Sequence, residues 1–150
     1  MAKSRFLSGF ETRRVHANGI EINVAIAGSG PAILLLHGHP QTHVVWRHIA
    51  PRLVSAGFSV VAPDLRGYGD SEKPASDASH SSYSKRVMAA DQVALMQNLG
   101  FETFSVVGHD RGGRVAHRLC LDHPSCVERM AVLDIAPTAT MYALTDKEFA

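Results

Sequence analysis

Two glycines around one acid, Gly108-His109-Asp110-Arg111-Gly112, sit between an apolar run and an amphipathic one, and this arrangement leaves few folds open. Phe104 to Val107 reads as a short buried strand. Gly112 to Leu121 places Val115, Ala116, Leu119 and Cys120 on one face at helical spacing, and Pro124 stops the helix. A strand that passes into a helix through Gly-x-Asp-x-Gly turns too tightly for side chains at the glycine positions. Its central residue is lifted to the top of a sheet, at a helix N-terminus, where free amides and the helix dipole favour negative charge.

The rest of the chain supplies the elements such a turn needs. Residues 11–16 and 20–27 alternate as two strands around Asn18-Gly19, a hairpin signal. Ala32 to Leu36 and Phe58 to Ala62 are continuous apolar runs of buried-strand length, and Met130 to Leu133 is the last strand. A helix is expected around Trp46, Ile49, Ala50, Leu53 and Val54, ended by Gly57, and another from Ser84 to Leu99, closed by Gly100. Strands alternating with helices predict an α/β fold, a mostly parallel sheet with helices on both faces, made mixed by the opening hairpin. No internal repeat is present.

Composition narrows the function classes. Fifteen basic and 14 acidic residues give a net charge of +1, which offers no basic excess for nucleic acid, so an anionic substrate would need locally placed arginines. No run approaches the roughly 18 apolar residues of a membrane span, and Met1 to Phe10 lacks the apolar core of a signal peptide, so the cytoplasm is the expected address. Cys120 and Cys126 lack metal-type spacing and are expected to be reduced thiols. The nine histidines are scattered, with no His-Glu-x-x-His pair, so neither a metal nor a cofactor is expected.

An aspartate at the centre of the turn has a chemical consequence. A carboxylate is ionised at neutral pH and can displace a leaving group from saturated carbon, forming an ester on Asp110. Hydrolysis of that ester passes through an oxyanion that needs amide donors. The N–H of Arg111 is one candidate, and the N–H of His39, in His37-Gly38-His39-Pro40 directly after Leu34-Leu35-Leu36, is the other. Arg111 and Arg114 lie one helical turn apart, so two guanidiniums over Asp110 can grip a small carboxylate through paired N–H···O bonds. Asp134, in Val132-Leu133-Asp134-Ile135, ends the last strand on the edge that faces the site in open α/β sheets.

Three segments, His37-Gly38-His39-Pro40, Asp64-Leu65-Arg66-Gly67-Tyr68-Gly69-Asp70-Ser71 and the turn at Asp110, follow the order and spacing of the α/β-hydrolase superfamily, which the chain resembles over about residues 10–137. The Asp64 to Ser71 segment reads as structural, with Arg66 in a local ion pair. Haloalkane dehalogenases and epoxide hydrolases usually carry tryptophan after the aspartate. The segment His109-Asp110-Arg111-Gly112-Gly113-Arg114 is instead similar to the haloacetate (fluoroacetate) dehalogenases. That resemblance implies Asp110 as nucleophile, Arg111 and Arg114 as ligands of the substrate carboxylate, and Asp134 as the acid that orients a catalytic histidine. The implied partner is a small haloacid, with no nucleic acid or membrane. Dimerisation is common in the resembling family, so a homodimer fits, although the sequence itself does not set the oligomeric state.

The family's histidine and halide-binding residues come later than anything in this chain, and no histidine follows Asp134. Thr145-Asp146-Lys147-Glu148 has the capping-box pattern and predicts a helix starting at 145. The expectation is therefore an N-terminal portion, with residues 1–136 in the core and 137–150 opening a lid, inactive for turnover alone. Its last strand is expected to present an unpaired edge and an uncovered apolar face. An epoxide hydrolase and a non-catalytic α/β-hydrolase fragment are the alternative readings.

Overall fold

A computed structural model describes residues 2–145 apart from 77 and 80. Its strands are β1 (Ala2–Lys3), β2 (Glu11–Ala17), β3 (Ile20–Ala27), β4 (Ala32–Leu36), β5 (Ser59–Pro63), β6 (Phe104–His109) and β7 (Val127–Leu133). The α-helices are α1 (Ala50–Ser55), α2 (Lys85–Asn98), α3 (Arg111–Asp122) and α4 (Thr138–Leu144). One sheet holds the strands in the order β1-β2-β3-β5-β4-β6-β7. The run β5-β4-β6-β7 is parallel, and β1, β2 and β3 extend it antiparallel. The expected architecture is thus present, with the hairpin making the sheet mixed. Asn18 and Gly19 both take positive φ, 49° and 78°, as a two-residue turn matched to strand twist requires.

Helices cover both faces because β4 is apolar on both. Ile33 and Leu35 pack with Trp46, Ala50, Val60 and Ala62 on the α1 side. Leu34 and Leu36 point the other way, into a larger cluster with Val106, Met88 and Leu95 of α2, and Val115 and Leu119 of α3. Each of Leu34, Leu35 and Leu36 is fully buried, stabilising the fold by about 1.5–3 kcal/mol apiece.

Two elements differ from the sequence reading. The two-residue strand β1 carries too little pattern to be read. The helix expected around Trp46 is two pieces, a 3-10 helix His43–His48 and then α1. Pro51 lies in the first turn of α1 and has no N–H to continue a single helix from the preceding turn. Thr145, read as the N-cap of a helix, is the C-cap of α4, its N–H and hydroxyl both donating to the Met141 carbonyl at 3.0 and 2.7 Å. The rest of that capping-box pattern, residues 146–148, lies outside the described residues.

The loop from Asp64 to Ser71 is a buried polar knot. The Asp64 carboxylate accepts from the His43 amide and Nδ1 (2.8 Å each), Asn23 Nδ2 (2.9 Å) and the Asp70 amide (3.0 Å). Burial alone would raise its pKa, but these donors outweigh it and hold Asp64 well below the ordinary carboxylate range. Arg66 donates through Nε and Nη2 to both oxygens of Asp91, at 2.8 and 2.6 Å. The partner of Arg66 is therefore on α2, not within its own loop. At the far edge, β7 leaves Met130, Val132 and Leu133 exposed, the uncovered apolar strand that was expected. Among the described residues no helix is long and apolar enough to cross a membrane.

Candidate active site

β6 ends at His109 and α3 begins at Arg111, so a single residue, Asp110, makes the corner. It does so at φ 49° and ψ −114°, a conformation that costs a non-glycine residue about 1–3 kcal/mol. The surroundings hold it there. The Asp110 N–H donates to the Leu133 carbonyl of β7 at 3.0 Å, and the Asp110 carbonyl accepts from the amides of Gly113 (3.0 Å) and Arg114 (3.2 Å). A Cβ on Gly112 would overlap the carbonyl of Leu36, so only glycine lets α3 start so close to the end of β4.

The loop after β4 then meets the corner. The His39 amide donates to Asp110 Oδ1 at 2.8 Å, and the Arg111 amide lies close enough to the Asp110 carboxylate to help lower its pKa. Both amides named from the sequence thus converge on one carboxylate. Partial burial would raise the Asp110 pKa. The two amides, with His109 and Arg114 nearby, more than offset this and lower it.

Buried His37 anchors this loop. Its Nε2 accepts from the Leu65 amide at 2.9 Å, so the proton sits on Nδ1, which donates to the Gly38 carbonyl at 2.8 Å. Burial lowers its pKa, which keeps the ring neutral and in this structural role. His39 Nδ1 lies 3.0 Å from the Tyr68 hydroxyl, and the Arg111 guanidinium stands 5.9 Å over the Tyr68 ring.

A cavity of about 230 Å³ opens beside Asp110, lined by His39, Lys85, Asp110, Arg111 and Arg114. The Nε atoms of Arg111 and Arg114 are buried and have no hydrogen-bond partner in the protein. Such donors call for an acceptor, and the cavity gives both side chains access to one. The geometry therefore brings the predicted nucleophile, both predicted arginines and His39 around one small space.

Asp134 stands apart from it. It follows Leu133 at a positive φ of 55°, its side chain is 88% exposed, and its Oδ2 lies 3.7 Å from His109 Nε2. His109 Nδ1 in turn lies 3.0 Å from Gln41 Oε1, an oxygen that also accepts from the Gly38 amide at 3.3 Å. Asp134 thus faces a histidine of the corner itself.

Sequence reasoning missed Lys85 and Gln41. Gln41 had no signal. Lys85 had a faint one: α2 starts with Lys85-Arg86 and has no acid in its first turn, against the preference of the helix dipole. Among the described residues no group of three or more His, Cys, Asp or Glu could hold a metal ion.

Over 139 residues the chain is 52% identical to a fluoroacetate dehalogenase of Burkholderia sp., covering 93% of this chain and 45% of that protein. It is 44% identical over 120 residues to a soluble epoxide hydrolase of Corynebacterium sp. (strain C12), covering 80% and 40%. A crystal structure from Salmonella enterica, provisionally named an acyltransferase, superposes with a TM-score of 0.94 at 58% identity, covering 97% of this chain and 48% of that one. The chain spans less than half the length of each of these relatives. Residues 31–149 match the alpha/beta hydrolase fold family. The corner at Asp110 and the sheet that carries it are the parts of that fold held in this chain, which belongs to the alpha/beta hydrolase fold family.

Proposed function

We propose that this chain is the N-terminal part of a haloacetate dehalogenase, with residues 1–136 in the core and 137–150 opening the lid. The observation that carries this reading is that Arg111 and Arg114 both line the cavity beside Asp110, and each has a buried Nε without a partner in the protein. A haloacetate carboxylate in that cavity would face both guanidiniums. Held there, its α-carbon is presented to the Asp110 oxygen that is not engaged by His39, a proximity effect.

In the first step that oxygen forms a bond to the α-carbon, and the halide leaves with the bonding electron pair. The product is a carboxymethyl ester on Asp110. In the second step a water, deprotonated by a histidine that the resemblance puts beyond residue 150 and Asp134 orients, attacks the Asp110 carboxyl carbon. The negative charge grows on Oδ1, which the His39 amide already meets, with the Arg111 amide at the start of α3 beside the same carboxyl group. Collapse of this intermediate re-forms the carbonyl and expels the glycolate oxygen, which takes back the proton held by the histidine, and the Asp110 carboxyl group then loses its own proton to solvent.

The likeness to the epoxide hydrolase supports a second reading in which Asp110 opens a neutral ring. A neutral substrate leaves both guanidiniums without an anion, so the charged haloacid is favoured. The full-length protein is expected to release halide from chloroacetate or fluoroacetate, and Asp110→Asn to abolish it. Consumption of a small neutral epoxide without halide release from either acid would replace this reading with the second.

A further inference from the structure

Lys85 is a cation in an unfavourable place. It is the first residue of α2, directly after the N-cap Ser84, whose Oγ accepts from the Val87 amide at 3.3 Å. The positive end of the helix dipole opposes an ammonium there. Its neighbour Arg86 is compensated by Asp122 at 3.2 Å, but Lys85 has no carboxylate partner among the described residues. Instead it is half-buried and shares the Asp110 cavity with two further cations, Arg111 and Arg114. It also lines an adjoining groove of about 350 Å³, together with Arg114, His117 and Leu121, so it stands where the two spaces meet.

We propose that Lys85 is a third anion-binding group of this site, a selectivity residue that draws in small monocarboxylates and disfavours their neutral counterparts. The inference rests on the reading of the cavity as a carboxylate site and names a residue that determines its substrate class. Charge supports it. Three cations and the Asp110 carboxylate leave the cavity with an excess of two positive charges, and one bound monocarboxylate reduces that to one. Chemistry supports it too. The planar guanidiniums fix the carboxylate in orientation, whereas an ammonium on a flexible stem offers three rotatable donors at the junction and can follow an entering anion. Burial and the adjacent Arg111 and Arg114 depress the Lys85 pKa against the pull of Asp110, the strain of a charge awaiting an anion.

The test uses acetate, an unreactive monocarboxylate, and acetamide, its neutral counterpart, titrated into the full-length protein and its Lys85→Met and Lys85→Arg variants. Lys85→Met keeps the apolar stem, and thermal unfolding verifies the fold of each. Acetate affinity is expected to fall about tenfold in Lys85→Met and to stay within about threefold in Lys85→Arg, with acetamide binding unchanged. The same split is expected in the rates at which chloroacetate and chloroacetamide alkylate Asp110. Acetate affinity unaffected by Lys85→Met overturns the proposal, as does an equal loss for acetate and acetamide, or a wild-type protein that binds no acetate. Acetate binding that depends on Lys85, with Asp110 never alkylated, keeps Lys85 as an anion ligand and removes the dehalogenase reading. Alkylation by chloroacetate at an unchanged rate in Lys85→Met does the reverse.

Discussion

The main-chain amide of His39 and the Oδ1 atom of Asp110 are 2.8 Å apart, although 71 residues separate them in the chain. Parallel pairing of β4 with β6, in the register Leu36 to Gly108, brings the two strand ends side by side. Gly38 closes the remaining gap. A Cβ there would lie 2.8 Å from Asp110 Cβ and 2.9 Å from Oδ1.

Gly38→Ala therefore moves the His39 amide away from Asp110. Loss of one oxyanion donor costs about 10²–10³ in rate. The loss is expected in ester hydrolysis, not in displacement, so the Asp110 ester should accumulate. Rapid-quench mass spectrometry during chloroacetate turnover checks this.

Arg111→Ala and Arg114→Ala each remove charge-assisted hydrogen bonds worth about 1.5–3 kcal/mol to the substrate carboxylate. Alkylation of Asp110 by chloroacetate is expected to slow about 10- to 100-fold in each, while alkylation by chloroacetamide changes little. Arg111→Lys should not restore the rate, because an ammonium cannot reproduce the planar fork. Parallel rate measurements with the two reagents separate loss of the clamp from general damage.

The two amides on Asp110 set its pH dependence. Because its pKa is lowered, the carboxylate stays ionised below the ordinary value of about 3.9. Alkylation is expected to be flat from about pH 8 to pH 5 and to decline only below about pH 4. A decline centred near pH 6 in single-turnover kinetics would assign the displacement step to another group.

Asp64 links the fold to acid stability. Its folded pKa lies below the unfolded one, so its contribution is complete above about pH 4 and is lost as the pH falls further. Asp64→Asn is expected to lower stability at pH 7 by about 2–4 kcal/mol and to flatten the acid dependence below pH 4, measured by urea unfolding across pH.

The corner was legible in the sequence because its constraint is backbone crowding: only glycine passes Leu36 at position 112, and a one-residue corner leaves one side chain, Asp110, at the strand top. The buried strands were legible from continuous apolar runs, and the hairpin from Asn18-Gly19. Lys85 was not, since its place depends on how α2 packs against α3, which local pattern does not encode. Asp91 as the partner of Arg66 escaped for the same reason, at 25 residues' separation. The break before α1 was in plain view at Pro51, but the apolar spacing on either side of it masked the interruption.

The nucleophilic role of Asp110 is tested most directly by exposing the folded full-length protein to chloroacetate, quenching in acid and mapping its peptides by mass. A carboxymethyl group on the peptide containing Asp110, absent in Asp110→Asn and much reduced in Arg111→Ala, is the expected result. A folded protein that takes up the reagent only at Cys120 or Cys126, with Asp110 unmodified, would contradict the assignment of Asp110 as nucleophile.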